Sequence, residues 1–198
     1  MPFDLSPGTG AALAIALLAA AFVRGYSGFG FSAIFIAFAA LITNPLPLIP
    51  VVFSCEMLMT IFQARGIRGH VDWRRVFALL CGAAVVLPAS VWFILNLGEG
   101  TVRLAVSGIV LVMSLVLLMG WSLPAIRAPV HVGVGMVSGL CNSAGIGGLP
   151  VAAFMAAQPM DAAHFRATMI VYLTGLDLIT MPLLWAGGLV TWETGLGV

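Results

Sequence analysis

Cys141-Asn142-Ser143-Ala144-Gly145-Ile146-Gly147-Gly148-Leu149-Pro150 is a glycine-rich interruption with apolar, helix-forming sequence on both sides. It has a counterpart near the start, Arg24-Gly25-Tyr26-Ser27-Gly28-Phe29-Gly30-Phe31-Ser32, again followed by a short apolar segment and a proline-bearing loop. Glycine tolerates unwound backbone, and a helix that starts after such a break presents unpaired N–H groups and a partial positive charge. Two breaks in corresponding places of a membrane chain point to a transporter binding site for an anion.

Composition places the breaks in a bilayer. Hydrophobic residues make up 62% of the 198 and charged residues 8%, with a mean hydropathy of +1.15; in soluble domains about a quarter of residues are charged. The chain therefore reads as an all-α polytopic membrane protein with the lipid bilayer as its solvent. Its eight basic residues are all Arg and form no basic surface for nucleic acid, which is excluded as a partner. Cys55, Cys81 and Cys141 sit in apolar sequence without metal-ligand or disulfide spacing, so neither a metal nor another cofactor is expected. Cys141 reads as a small apolar filler. Met1 to Gly10 lacks a basic n-region, so the first apolar run reads as a retained span.

Working outward, Thr9 to Val23 is expected to begin the first span, with Arg24 stopping the run. The segment from Ser27 or Gly28 to Ile42, about 15 residues, is short of the roughly 20 a crossing needs and reads as a re-entrant half-helix or a short span. Asn44 to Pro47 is a turn, and Ile49 to Gln63 a helix with Glu56 near its middle. Arg65, Arg68, Arg74 and Arg75, with His70 and Asp72, fill the next loop, which the positive-inside rule places in the cytoplasm. Spans are expected over Val76–Leu95, containing Pro88, and Val102–Met119; Arg127 lies in a second cytoplasmic loop. Val130 to Ala144 returns, Leu149 to Ala157 is the second short element, and His164 to Trp185 is a long helix carrying Arg166, Asp177 and Pro182. Trp73, Trp92, Trp121, Trp185 and Trp192 fall near span ends, as an aromatic belt requires.

Gly28 to Phe31 overlies Gly145 to Gly148 at an offset of 117, and Glu56 then overlies Asp177 at 121. The chain reads as an internal duplication, residues 1–120 forming one transmembrane repeat and 121–198 a second that is cut short. The count of membrane segments between the breaks is odd if each short element crosses or returns as drawn, which makes the repeats inverted; an even count would make them parallel, and the short elements decide it. The missing spans imply a piece of a longer chain, the favoured reading, or spans supplied by another subunit in a homo-oligomer.

The candidate substrate-binding residues are Ser27, Gly28 and Gly30 at the first break and Asn142, Ser143, Gly145, Gly147 and Gly148 at the second. Packing is the competing role for membrane glycines, and the Gly135/Gly139 pair reads that way. Glu56 and Asp177 are costly charges at membrane depth and read as proton carriers, the competing role being a structural ion pair. Arg24 and Arg166 are weaker candidates for anion contact, since each can equally snorkel to an interface. His70, His131 and His164 read as interface residues. No nucleophile and base stand at workable spacing, which sets aside an intramembrane enzyme.

The two breaks and their proline loops carry a resemblance. Gly25-Tyr26-Ser27-Gly28-Phe29-Gly30 with Asn44-Pro45-Leu46-Pro47, and Gly139 to Pro150 with Pro159, resemble the TauE/SafE family of sulfite exporters and sulfonate uptake permeases. The chain departs from it in being shorter and in having Phe31 and Ser32 where a fuller glycine run is common. The resemblance implies a bacterial inner-membrane permease for sulfite, sulfonates or other small sulfur-containing or organic anions. Together with the carboxylates it leads to a proton-coupled secondary transporter, one repeat rocking against the other. The alternatives are a passive anion channel and a non-transporting membrane subunit of a sulfur-metabolising complex.

Overall fold

The computed structural model describes residues 7–67, 69–120, 122 and 128–188. Arg68, Arg127, Trp121, Trp192 and the first six residues lie outside them. Among the described residues eight α-helices follow one another: α1 (Pro7–Ser27), α2 (Phe31–Ile42), α3 (Ile49–Gln63, after a 3-10 turn at Leu46–Leu48), α4 (Trp73–Leu95), α5 (Glu99–Leu118), α6 (Ala128–Asn142), α7 (Gly148–Ala156) and α8 (Ala162–Ala186). Among the described residues five helices are long and apolar enough to cross a membrane: α1, α3 with its leading turn, α4, α5 and α8. At about 1.5 Å per residue, α2 and α7, with 12 and 9 residues, are too short to do so upright. The order helix, glycine break, short helix, helix with a central carboxylate occurs twice, in α1–α3 and in α6–α8.

Local chemistry sets the boundaries. Arg24 does not stop α1; the helix runs on to Ser27 and ends where Gly28 turns left-handed at φ +83°, its N–H held by the Arg24 carbonyl at 2.8 Å. A charge inside an apolar run ends a helix only if it must reach water, and Arg24 does not. Asp72 starts α4 three residues earlier than the apolar pattern alone indicates, its carboxylate accepting the Arg75 N–H at 3.1 Å. Asp161 likewise caps α8, accepting N–H groups of Ala163 and His164 at 3.0 Å each. Pro88 and Pro182 lie inside α4 and α8, as expected.

Among the described residues two larger hydrophobic cores hold the bundle, with a small third cluster at Ile67, Ala167 and Ile170. One joins α1, α2, α3 and α5 around Ala20, Phe31, Ile36, Ile49, Phe53 and Val106, and the second break inserts Ile146 into it. The other joins α4, α7 and α8 around Leu79, Leu87, Met155, Met169 and Leu176. Between α4 and α6 runs a seam of close approach. A methyl group on Gly82 would overlap the Val132 carbonyl, one on Gly135 the Leu79 carbonyl, and one on Gly139 would stand 2.9 Å from Ala83. Gly135 and Gly139 therefore do the packing their spacing suggests.

Contacts along the seam give the helix directions. Gly82 meets Val132 and Ser90 meets Gly139, so α4 and α6 run together. Asp72 meets Thr168 and Leu95 meets Gly187, so α8 runs with them. Thr60 meets Thr174 while Ile67 packs with Ala167 and Ile170, so α3 runs against α8. α1 ends beside Arg166, in the second turn of α8, so its break lies toward the end of the bundle where α8 starts. α6 runs the other way and ends beside Thr180.

Exposed apolar side chains, among them Leu18 and Phe22 on α1 and Leu104 and Leu111 on α5, give the outer surface that lipid requires. Trp73, Trp92 and Trp185 are exposed in terminal turns. His131 departs from the interface expectation: it is 3% exposed and meets Phe154 edge-on at 5.2 Å.

Candidate functional site

Arg24 faces inward from the last turns of α1 and has no exposed surface. Its Nη1 donates to Glu56 Oε1 at 3.0 Å and its Nη2 to Thr60 Oγ1 at 3.1 Å, one turn along α3. The same Glu56 oxygen is 3.4 Å from the backbone N–H of Ser32, in the first turn of α2. A carboxylate of the protein therefore sits where the end of α2 offers its partial positive charge. The Thr60 and Thr174 hydroxyls meet at 2.8 Å and tie this group to α8.

Asp177 projects from α8 into the same centre, 1% exposed, and interacts with both Glu56 and Arg24. No donor reaches either of its carboxyl oxygens, and Arg24 Nε is likewise without an acceptor. Two ionised carboxylates can only accept, so the approach of Glu56 and Asp177 becomes a hydrogen bond when one proton lies between them. Arg24 answers the charge of Glu56 alone, so a second ionised carboxylate at Asp177 would stand unpaired at membrane depth, where such charges are expensive. The arrangement can hold a proton, an anion in exchange for a carboxylate, or both.

A second polar set surrounds the other break, whose ten residues from Cys141 to Pro150 are all buried. Asn142 Nδ2 donates to Thr180 Oγ1 at 2.9 Å, one turn beyond Asp177. Tyr172 donates to Ser138 Oγ at 2.7 Å, and Ser138 donates to the Gly147 carbonyl at 2.5 Å, fixing the entry of α7 from both α6 and α8.

Gly28 and Gly145 are each placed against the other part of the sequence. A Cβ on Gly28 would stand 2.7 Å from Arg166 Cγ, and one on Gly145, at φ +77°, would stand 3.1 Å from Ile36 Cγ1 on α2. Gly148 abuts Leu173, and Gly147 abuts its own Asn142 side chain. Gly30 is left-handed at φ +90°, and a Cβ there would meet Ile34 and Val23 at an ordinary contact distance of 3.7 Å. The Ser27 hydroxyl lies 2.8 Å from the Phe29 carbonyl and the Ser143 hydroxyl donates to Leu140 O at 2.9 Å, so both shape their breaks. Arg166 is half-buried and donates to Gly25 O at 3.0 Å. Glu56 and Asp177 are thus brought together, whereas Ser27 and Ser143 spend their hydroxyls on local backbone. Two apolar clefts of about 590 and 560 Å³ flank α5, and neither is lined by the charged centre.

The model of the sulfite exporter TauE/SafE family matches residues 12–198. The chain belongs to this family. No curated protein and no solved structure matches it. As a TauE/SafE protein it is a multi-pass membrane transporter, which the apolar helices fit independently. Around the charged centre of this TauE/SafE protein, Thr60, Thr174, Tyr172, Ser138 and Thr180 join the residues legible in the sequence. Spacing held a signal for three: Thr60 follows Glu56 by four, while Thr174 precedes and Thr180 follows Asp177 by three, so each shares its carboxylate's face.

Proposed function

We propose that the protein is a proton-coupled secondary transporter of a small sulfur-containing or organic anion, sulfite-like or sulfonate-like, in a bacterial inner membrane. The observation that carries this reading is the buried Arg24–Glu56 ion pair with the buried, unpartnered Asp177 carboxyl in the same centre, between two glycine breaks. The opposite directions of α1 and α6 support halves related by inversion, with helix ends meeting near mid-membrane. The backbone after Gly30 and Gly148 holds the anion. Ser27, Gly28, Asn142, Ser143, Gly145 and Gly147 shape that backbone, and Glu56 and Asp177 exchange the proton. Movement of one group of helices against the other alternates access.

The test is uptake into proteoliposomes of sulfite, a sulfonate and chloride, with and without an imposed pH gradient. Gradient-dependent accumulation that fails in Glu56→Gln and Asp177→Asn is the expected result. Equilibration without accumulation, unchanged in Glu56→Gln, would make the protein a passive anion channel. No uptake of any of the three by folded protein would overturn the permease reading in favour of a non-transporting subunit.

A further inference from the structure

A cation and a helix N-terminus that would together seat an anion are already engaged, by a carboxylate of the protein itself. Glu56 Oε1 takes hydrogen bonds from Arg24 Nη1 at 3.0 Å and Ser32 N at 3.4 Å, a cation and a helix N-terminus converging on one oxygen. Those are the donors a small oxyanion would use, because carboxylates, sulfonates and sulfite all present acceptor oxygens on a single charged head. We propose that Glu56 occupies the substrate's own position in this conformation, and that the transported oxyanion and the Glu56 carboxylate exchange at Arg24 and the start of α2. The inference rests on the permease reading and adds the anchoring residue and the reason a proton is needed.

Two unspent groups point the same way. Arg24 Nε is buried and has no acceptor, so the guanidinium has a donor left for a ligand with more than one oxygen. Both oxygens of Asp177, beside Glu56, have no donor. When Glu56 takes a proton its new O–H can turn to Asp177, and Arg24 and the Ser32 N–H are released together. The charge then balances, since one anion enters as one carboxylate is neutralised. After the anion leaves, the proton leaves too, and Glu56 returns to Arg24. One proton accompanies each anion, and no covalent bond changes except the O–H bond on Glu56.

Among the described residues four helices bring charged or titratable groups to this centre. α1 contributes Arg24, α8 contributes Asp177 with Tyr172 beyond it, α3 contributes Cys55 next to Glu56, and α6 contributes Cys141 beside Tyr172. From α2 comes the Ser32 N–H. Glu56 is the carboxylate that touches both the cation and the helix end.

Methanesulfonate binding to the full chain in nanodiscs tests the exchange, because this anion keeps its charge at all working pH values. In the wild-type protein the affinity should rise about tenfold for each unit of falling pH while Glu56 is ionised, as linkage of one proton requires. In Glu56→Gln, binding should be tight and flat with pH. In the double variant Arg24→Met with Glu56→Gln, which removes both charges and so leaves neither buried alone, binding should be lost while the melting profile keeps a cooperative transition. An unchanged pH slope in Glu56→Gln, or undiminished binding in the double variant, overturns the seat and leaves the permease standing if uptake persists. Predicted slopes in a protein that moves no anion would uphold the seat and overturn the permease.

Discussion

A guanidinium shut away from water must have its charge answered, and Arg24 has Glu56 at 3.0 Å to answer it. Replacing it by Met leaves a carboxylate buried and unpaired, which should cost roughly 3–5 kcal/mol in a chemical unfolding titration, with most of the loss recovered by adding Glu56→Gln. Tyr172→Phe is expected to cost only about 1 kcal/mol in the same titration, because Ser138 keeps its bond to the Gly147 carbonyl. At the mouth of α8, Asp161 titrates below the ordinary aspartate range. The main cause is the His164 backbone N–H that its carboxylate accepts, helped by the His164 side chain. A lowered pKa means stabilisation that is present above the unfolded-state value and lost as pH falls through the folded one. The wild-type melting temperature should therefore fall more steeply on acidification through that window than that of Asp161→Asn. Equal slopes would mean the cap does not bear on stability. Glu56 and Asp177 were visible in the sequence, since acids stand out in apolar runs. The partnership of Arg24 was not, because an arginine near a helix end looks the same whether it faces lipid headgroups or a carboxylate 32 residues away.

The elements themselves were largely visible, α3 to the residue, because long apolar runs, glycine breaks and proline turns each leave a local mark. Starts set by caps were less so: α4 opens at Trp73, where Arg74 and Arg75 hide the onset and only the Asp72 side chain reveals it. The two glycines of the first break do different work, and substitution should separate them. Gly30→Ala meets only the left-handed backbone penalty, about 1–2 kcal/mol, since its neighbours stand 3.7 Å away. Gly28→Ala meets that penalty and the Arg166 side chain at 2.7 Å and backbone carbonyl at 3.0 Å, and should lower thermal stability further. If both variants melt alike, the packing of the first break on α8 is not part of what holds it.

For the whole molecule, the pairing of α3 against α8 and of α4 along α6 came from contacts across more than 40 residues, for which single-chain periodicity carries no signal. The proposed orientation is open to labelling. In a background lacking Cys55, Cys81 and Cys141, Gly69→Cys should react with an impermeant maleimide from the cytoplasmic side and Asn96→Cys from the opposite one. Reaction of both from one side would remove the antiparallel reading of the bundle ends. The glycine seam has a mechanical consequence. α4 comes from the first half of the sequence and α6 from the second, yet their backbones touch so closely that neither can slide without a collision. They form one stiff beam, and α8 is fastened along it. A pivot cutting the protein at the sequence midpoint would have to saw through that beam. Any rocking that alternates access is therefore expected along α3 and α8, where the Thr60 and Thr174 hydroxyls are the kind of contact that can let go and re-form.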